Sequence, residues 1–104
     1  MKTIPGIQER YCEQILKLFN QLPDGKEVIL FGSRAKGKFR EGSDIDIALK
    51  GKKLNLETRD KLIAQYESLH FPWKLDIVIY DLIEEPGLKE HIDRVGVKLD
   101  LRNQ

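Results

Sequence analysis

Cysteine is almost missing from this chain. Cys12 is the only one in 104 residues, so no internal disulfide can form, which suits a reducing compartment. Charge of one sign is also lacking. Eighteen Lys and Arg stand against 17 Asp and Glu, a formal net charge of +1. A general polyanion binder would be strongly basic, so nucleic acid is not the expected partner. No apolar run approaches the roughly 20 residues of a membrane span. The opening residues, Met1 to Gly6, lack the apolar core of a secretion signal. A soluble cytoplasmic protein without membrane contact is the expectation. Internal repeats and low-complexity tracts are missing too, and no Cys/His spacing suits zinc.

What is present suits one small folded unit. Apolar residues make up 40% of the chain and charged residues 34%. That is enough to drive one modest core and argues against disorder. Residues 1–104 are expected to form a single domain.

Helical spacing appears first. Ile7, Tyr11, Ile15, Leu18, Phe19 and Leu22 stack on one face, opened by Pro5-Gly6 and ended by Pro23-Asp24-Gly25. The run Val28 to Phe31 is too short for a helix and reads as a buried strand ending at Gly32. Residues 33–43 are polar, with a helical turn from Ser33 and then a loop. Asp44-Ile45-Asp46-Ile47-Ala48-Leu49 alternates with period two, so it reads as a second strand with both aspartates on one face. Asn55 is placed to cap a helix with Glu57 in its first turn, and Leu62, Ile63, Tyr66 and Leu69 form its stripe. Pro72 stops it. Leu75 to Tyr80 is a third strand, with Asp76 opposite Leu75, Ile77 and Ile79. Pro86 fits the first turn of a last helix carrying Leu88, Ile92 and Val95 and closed by Gly96. The expected class is α/β, in the order αβαβαβα, with a three-stranded mixed β-sheet flanked by helices.

One constellation carries chemistry. Gly32-Ser33 ends the first strand, ten residues precede Asp44-x-Asp46, and Asp76 opens the third strand. These groups meet only if strand one runs antiparallel to strand two and strand three parallel to it; the helix at 56–70 supplies the crossover a parallel pair needs. Three carboxylates in one place repel one another unless a cation is shared among them. Hard oxygen ligands with open positions suit Mg²⁺, bound through carboxylates and substrate phosphates. Two such ions about 3.5–4 Å apart would clamp an in-line phosphoryl displacement. Gly32 lets backbone approach a phosphate, and the amides of Ser33 and Arg34 and the Ser33 hydroxyl offer donors.

Phe31-Gly32-Ser33-Arg34-Ala35-Lys36-Gly37, followed by Ser43-Asp44-Ile45-Asp46-Ile47-Ala48-Leu49, resembles the nucleotidyltransferase superfamily that includes polymerase-β-like enzymes. The length and the stretch Phe71 to Val78 are similar to the minimal nucleotidyltransferases, the antitoxin halves of MNT–HEPN toxin–antitoxin pairs. The resemblance implies a polymerase-β-like palm. It implies transfer of AMP from ATP, with Mg²⁺, to a tyrosine of a partner HEPN ribonuclease toxin. It assigns Gly32 and Ser33 to phosphate binding, and Asp44, Asp46 and Asp76 to metal and catalysis; Arg34 joins the nucleotide-binding set by its adjacency to Ser33.

Other residues have plainer roles. Lys36, Lys38 and Arg40 suit a solvated loop face as well as a polyphosphate tail. His70 suits the end of a helix dipole, His91 the polar face of the last helix, and Cys12 a packed position in the first helix. Phe71, Trp73 and Tyr80 suit core or interface packing better than base stacking. Two rival functions stand beside the transferase reading. One is a binding module that neutralises a toxin by occlusion, and the other is a transferase acting on a small molecule or a nucleic-acid end.

Overall fold

The period-two segments form one sheet and the helical stripes cover it. The computed structural model describes residues 3–101. Helix α1 (Glu9–Asn20) leads to strand β1 (Glu27–Phe31), and the short helix α2 (Gly32–Lys36) follows at once. Strand β2 (Ile45–Lys50), helix α3 (Leu56–Glu67) and strand β3 (Leu75–Ile79) come next. A 3₁₀ turn (Tyr80–Leu82), helix α4 (Pro86–Val95) and strand β4 (Val97–Lys98) complete the order. The sheet runs β3-β2-β1-β4. β1 is antiparallel to β2, and β2 is parallel to β3, as convergence of the aspartates demands.

The sheet has four strands, which corrects the expected three. β4 lies antiparallel to β1, pairing Leu30 with Val97 and Ile29 with Lys98. Two residues are too short to show alternation, so nothing in the pattern marks them as a strand. Gly96 makes the close return possible. A Cβ there would fall 2.6 Å from Ile29 Cγ2 and also collide with the Ile92 carbonyl oxygen. The Lys98–Glu27 ion pair (3.1 Å) ties the new edge.

Each face of the sheet has its own cover. Val28, Leu30, Ile45, Ile47, Leu49, Leu75, Ile77 and Ile79 point to one face, where Ile15, Leu16 and Phe19 of α1 and Leu62 and Tyr66 of α3 bury them. This is the main core. On the other face Phe31 and Ala48 pack under Ile92 of α4, flanked by Leu88, Val95 and Val78. α4 therefore lies on the same face as the even-numbered residues of β2 and β3.

Local chemistry sets the helix ends. Asn55 caps α3 as expected: its side chain accepts from the Thr58 amide at 2.9 Å, and Thr58 Oγ1 accepts in return from the Asn55 amide at 3.4 Å. α1 starts later than the Pro5-Gly6 signal suggests. Residues 4–7 form a separate turn with Ile4 and Ile7 buried. The Cys12 thiol holds that turn, accepting from the Ile4 amide (3.3 Å) and donating to the Ile7 carbonyl (3.3 Å). Burial pushes the thiol's pKa up, which leaves it a structural group and not a nucleophile. Phe71 and Trp73 pack edge-on against Tyr11 of α1, a packing role, as expected. Among the described residues no helix is long and apolar enough to cross a membrane.

Candidate active site

Strand register places the acidic groups in one row. Phe31 is the cross-strand partner of Asp46, and Asp46 is the partner of Asp76. Adjacent strands lie about 4.8 Å apart, and paired residues point to the same face. The row thus runs from the end of β1, across Asp46, to Asp76 on the sheet's outer strand. Asp44 stands two residues before Asp46, just ahead of β2, where the Ile45 amide donates to the Lys74 carbonyl at 2.9 Å. Asp44 and Asp76 are exposed and Asp46 is half-buried.

Gly32 meets this row directly. Its φ is +74°, in the left-handed region. A Cβ on Gly32 would press into the Asp46 carboxylate, 2.9 Å from its Cγ. Glycine is needed twice here, for the turn of the chain and for the space beside the acid. Ser33 follows, half-buried, at the corner between β1 and α2.

Asp46 holds its proton more tightly than an ordinary aspartate. Burial is the main cause, and the charges of Asp76 and then Asp44 add to it; His91 and Lys74 oppose it. The charges of Asp76 and Asp44 thus bear on Asp46, an environment that a bound cation would relieve. Among the described residues no three acidic, histidine or cysteine side chains form a ready-made metal cage. An open set of this kind fits Mg²⁺, which takes one or two carboxylates and completes its shell with water and substrate phosphates.

Arg34 is where the expectation needs correcting. Its side chain turns inward and is 1% exposed. Nη1 donates to the Pro5 carbonyl (2.7 Å), and Nε and Nη2 donate to the Ser43 carbonyl (3.2 and 2.8 Å). The guanidinium also lies over the Phe39 ring, 5.2 Å from its centroid. Three of its five N–H groups are used and the side chain is buried, so it is not presented to a nucleotide; only its backbone amide stays at the corner. Lys36, Lys38 and Arg40 are exposed.

His91, expected on the polar face of the last helix, turns toward the sheet instead. It is half-buried on α4, its ring edge-on to Phe31 at 6.3 Å between centroids, and its charge acts on Asp46. The only available sequence signal was its place on the flank of the Leu88–Ile92–Val95 stripe. Helical spacing alone does not say which strand end a flank residue overlooks.

Comparison with known proteins agrees with this fold. The family model described as polymerase beta, nucleotidyltransferase matches residues 13–104. A Haemophilus influenzae protein whose name reads "Probable protein adenylyltransferase MntA" is 34% identical over 81 residues, spanning 77% of this chain and 70% of that protein. A toxin–antitoxin crystal structure with AMP-PNP contains a chain that is 26% identical. It superposes with a TM-score of 0.68, over 85% of this chain and 72% of that one. A complex of tri-AMPylated Shewanella oneidensis HEPN toxin with MNT antitoxin has the same fold. Its matching chain gives a TM-score of 0.64 at 24% identity, over 89% of this chain and 72% of that one.

Proposed function

The chain belongs to the polymerase β nucleotidyltransferase family, and on that premise we propose that it transfers AMP from ATP to a tyrosine hydroxyl of a partner HEPN ribonuclease and so acts as its antitoxin. The observation that carries the reading is the row of Asp46 and Asp76 closed at one end by Gly32. The 34% identical relative named as a protein adenylyltransferase supports the reaction class. The 26% identical chain of a toxin–antitoxin assembly with AMP-PNP supports a nucleotide and a toxin partner. The HEPN identity of that partner rests on the family resemblance of the Gly-Ser and Asp-x-Asp segments.

In this reading Gly32 and Ser33 receive the triphosphate, with no part for the Arg34 side chain. Asp44 and Asp46 would hold Mg²⁺, and Asp76 would help to hold a second ion. When bound, the metal supplies charge neutralisation at the α-phosphate and at the departing pyrophosphate. The acceptor oxygen bonds to the α-phosphorus as the bond to the bridging oxygen of pyrophosphate breaks. Asp76, exposed on the outer strand, accepts the hydroxyl proton.

The test is intact-mass spectrometry of the HEPN partner after incubation with this protein, ATP and Mg²⁺. The partner should gain the mass of AMP and pyrophosphate should be released. Asp46→Asn should abolish transfer and leave the complex assembled. An unmodified partner in an assembled wild-type complex would sink the catalytic reading and leave occlusion as the account.

A further inference from the structure

The face of the sheet that carries the carboxylate row also carries α4, and only one polar side chain of that helix is tied to the row. α4 is fixed there firmly. Ile92 is buried on Phe31 and Ala48, and the Tyr80 hydroxyl donates to Asp93 Oδ1 at 2.8 Å. The Lys89 ammonium lies over the Tyr80 ring, 5.1 Å from its centroid. These ties hold residue 91 above Phe31, the cross-strand partner of Asp46 and the residue immediately before Gly32.

His91 is ordered by this packing and yet makes no hydrogen bond or ion pair among the described residues. Its immediate contact is a ring edge against Phe31, so its nitrogens stay available. A half-buried imidazole with a free N–H, packed on the residue before Gly32, can donate to an anionic oxygen placed at that corner. The side chain of Arg34, the basic residue nearest that corner in sequence, is buried and turned to the Pro5 and Ser43 carbonyls instead.

We propose that His91 is part of the nucleotide site: its ring donates to a phosphate oxygen of the bound nucleoside triphosphate across the Phe31–Gly32 corner, and so sets the position of the triphosphate tail. The inference rests on the nucleotidyltransferase reading above and adds a residue to it from a helix outside the Gly-Ser and Asp-x-Asp segments. No bond to the imidazole forms or breaks. The residue binds and orients, and the pyrophosphate it holds departs with it still as donor.

Calorimetric titration of the full chain with Mg²⁺–ATP tests this without any partner. His91→Phe keeps an aromatic ring against Phe31 and removes the donors; His91→Ala removes both. Each should weaken Mg²⁺–ATP binding by about ten- to hundredfold, the loss expected for a hydrogen bond to a charged group. His91→Gln, which keeps an N–H, should recover most of the affinity. In adenylylation assays the loss should fall on KM for ATP, with kcat changed less than about threefold. Melting temperatures identify the folded variants, and either donor-free variant that stays folded decides the matter. Wild-type affinity in a folded His91→Phe or His91→Ala variant overturns the inference and leaves the nucleotidyltransferase reading intact. A loss in kcat alone, or no recovery with His91→Gln, also overturns it. A wild-type chain that binds no Mg²⁺–ATP overturns both.

Discussion

Asp46 shows how one side chain can cost stability and serve function. Its folded-state pKa is raised by burial and by its two acidic neighbours. Between the ordinary aspartate value and that raised value the folded chain binds more protons than the unfolded chain. Stability therefore falls as pH rises through this window, and the full cost is present above the raised value. Asp46→Asn should raise the melting temperature of the metal-free protein at pH 7, by about 2–8 °C for a stabilising change of ordinary size. The gain should shrink toward pH 4. Thermal melts of both proteins across that range check it, and a destabilised variant at pH 7 would mean the carboxylate is structural. The residue scale is also where sequence and structure part. Gly32, Asp44, Asp46 and Asp76 were legible because register follows from alternation and from one crossover. Arg34 was not, because its neighbour Ser33 suggested the same surroundings, while a side chain six bonds long can reach carbonyls on two other segments. His91 was not, because a helix pattern gives a face and not a position along the strands beneath it.

Among elements, the strands and helices with five or more patterned residues were all readable, and β4 was not. Its two residues carry no period, and Gly96 before it looked only like a helix end. That glycine is a packing necessity, since any Cβ meets both the Ile92 carbonyl and Ile29. Gly96→Ala should therefore cost about 1–3 kcal/mol in urea denaturation, the usual range for overpacking. The loss should exceed that of Gly42→Ala, where a Cβ meets nothing within 4 Å. Equal midpoints for the two variants would show that the α4–β4 corner yields freely. The corner matters beyond its own stability, because α4 is seated on Phe31 by the residues just before it.

Across the whole molecule, the segments that build the site come from distant parts of the chain, and one interior cation joins two of them. Arg34 binds the Pro5 carbonyl 29 positions away and the Ser43 carbonyl immediately before Asp44. Among the described residues no carboxylate forms an ion pair with it; burial lowers its pKa, and the charges of Tyr66, Cys12 and Asp44 oppose that, beside the two carbonyls and the Phe39 ring. Loss of either carbonyl strands a charge in the interior. The consequence is cooperative opening. The turn at residues 4–7 and the loop at 38–43 cannot detach separately without exposing the same guanidinium, so they should behave as one local unfolding unit. Native-state hydrogen–deuterium exchange should give the amides of Ile7 and Ser43, both hydrogen-bonded, the same opening free energy. Arg34→Ala should speed both together, by tenfold or more, while the α3 amides exchange as before. Independent rates at the two amides would disprove the linkage. If they move together, a disturbance at the turn of residues 4–7 reaches the strand of Asp46 through a single side chain. Breathing of the turn at residues 4–7 would then set how often Asp44 leaves its place.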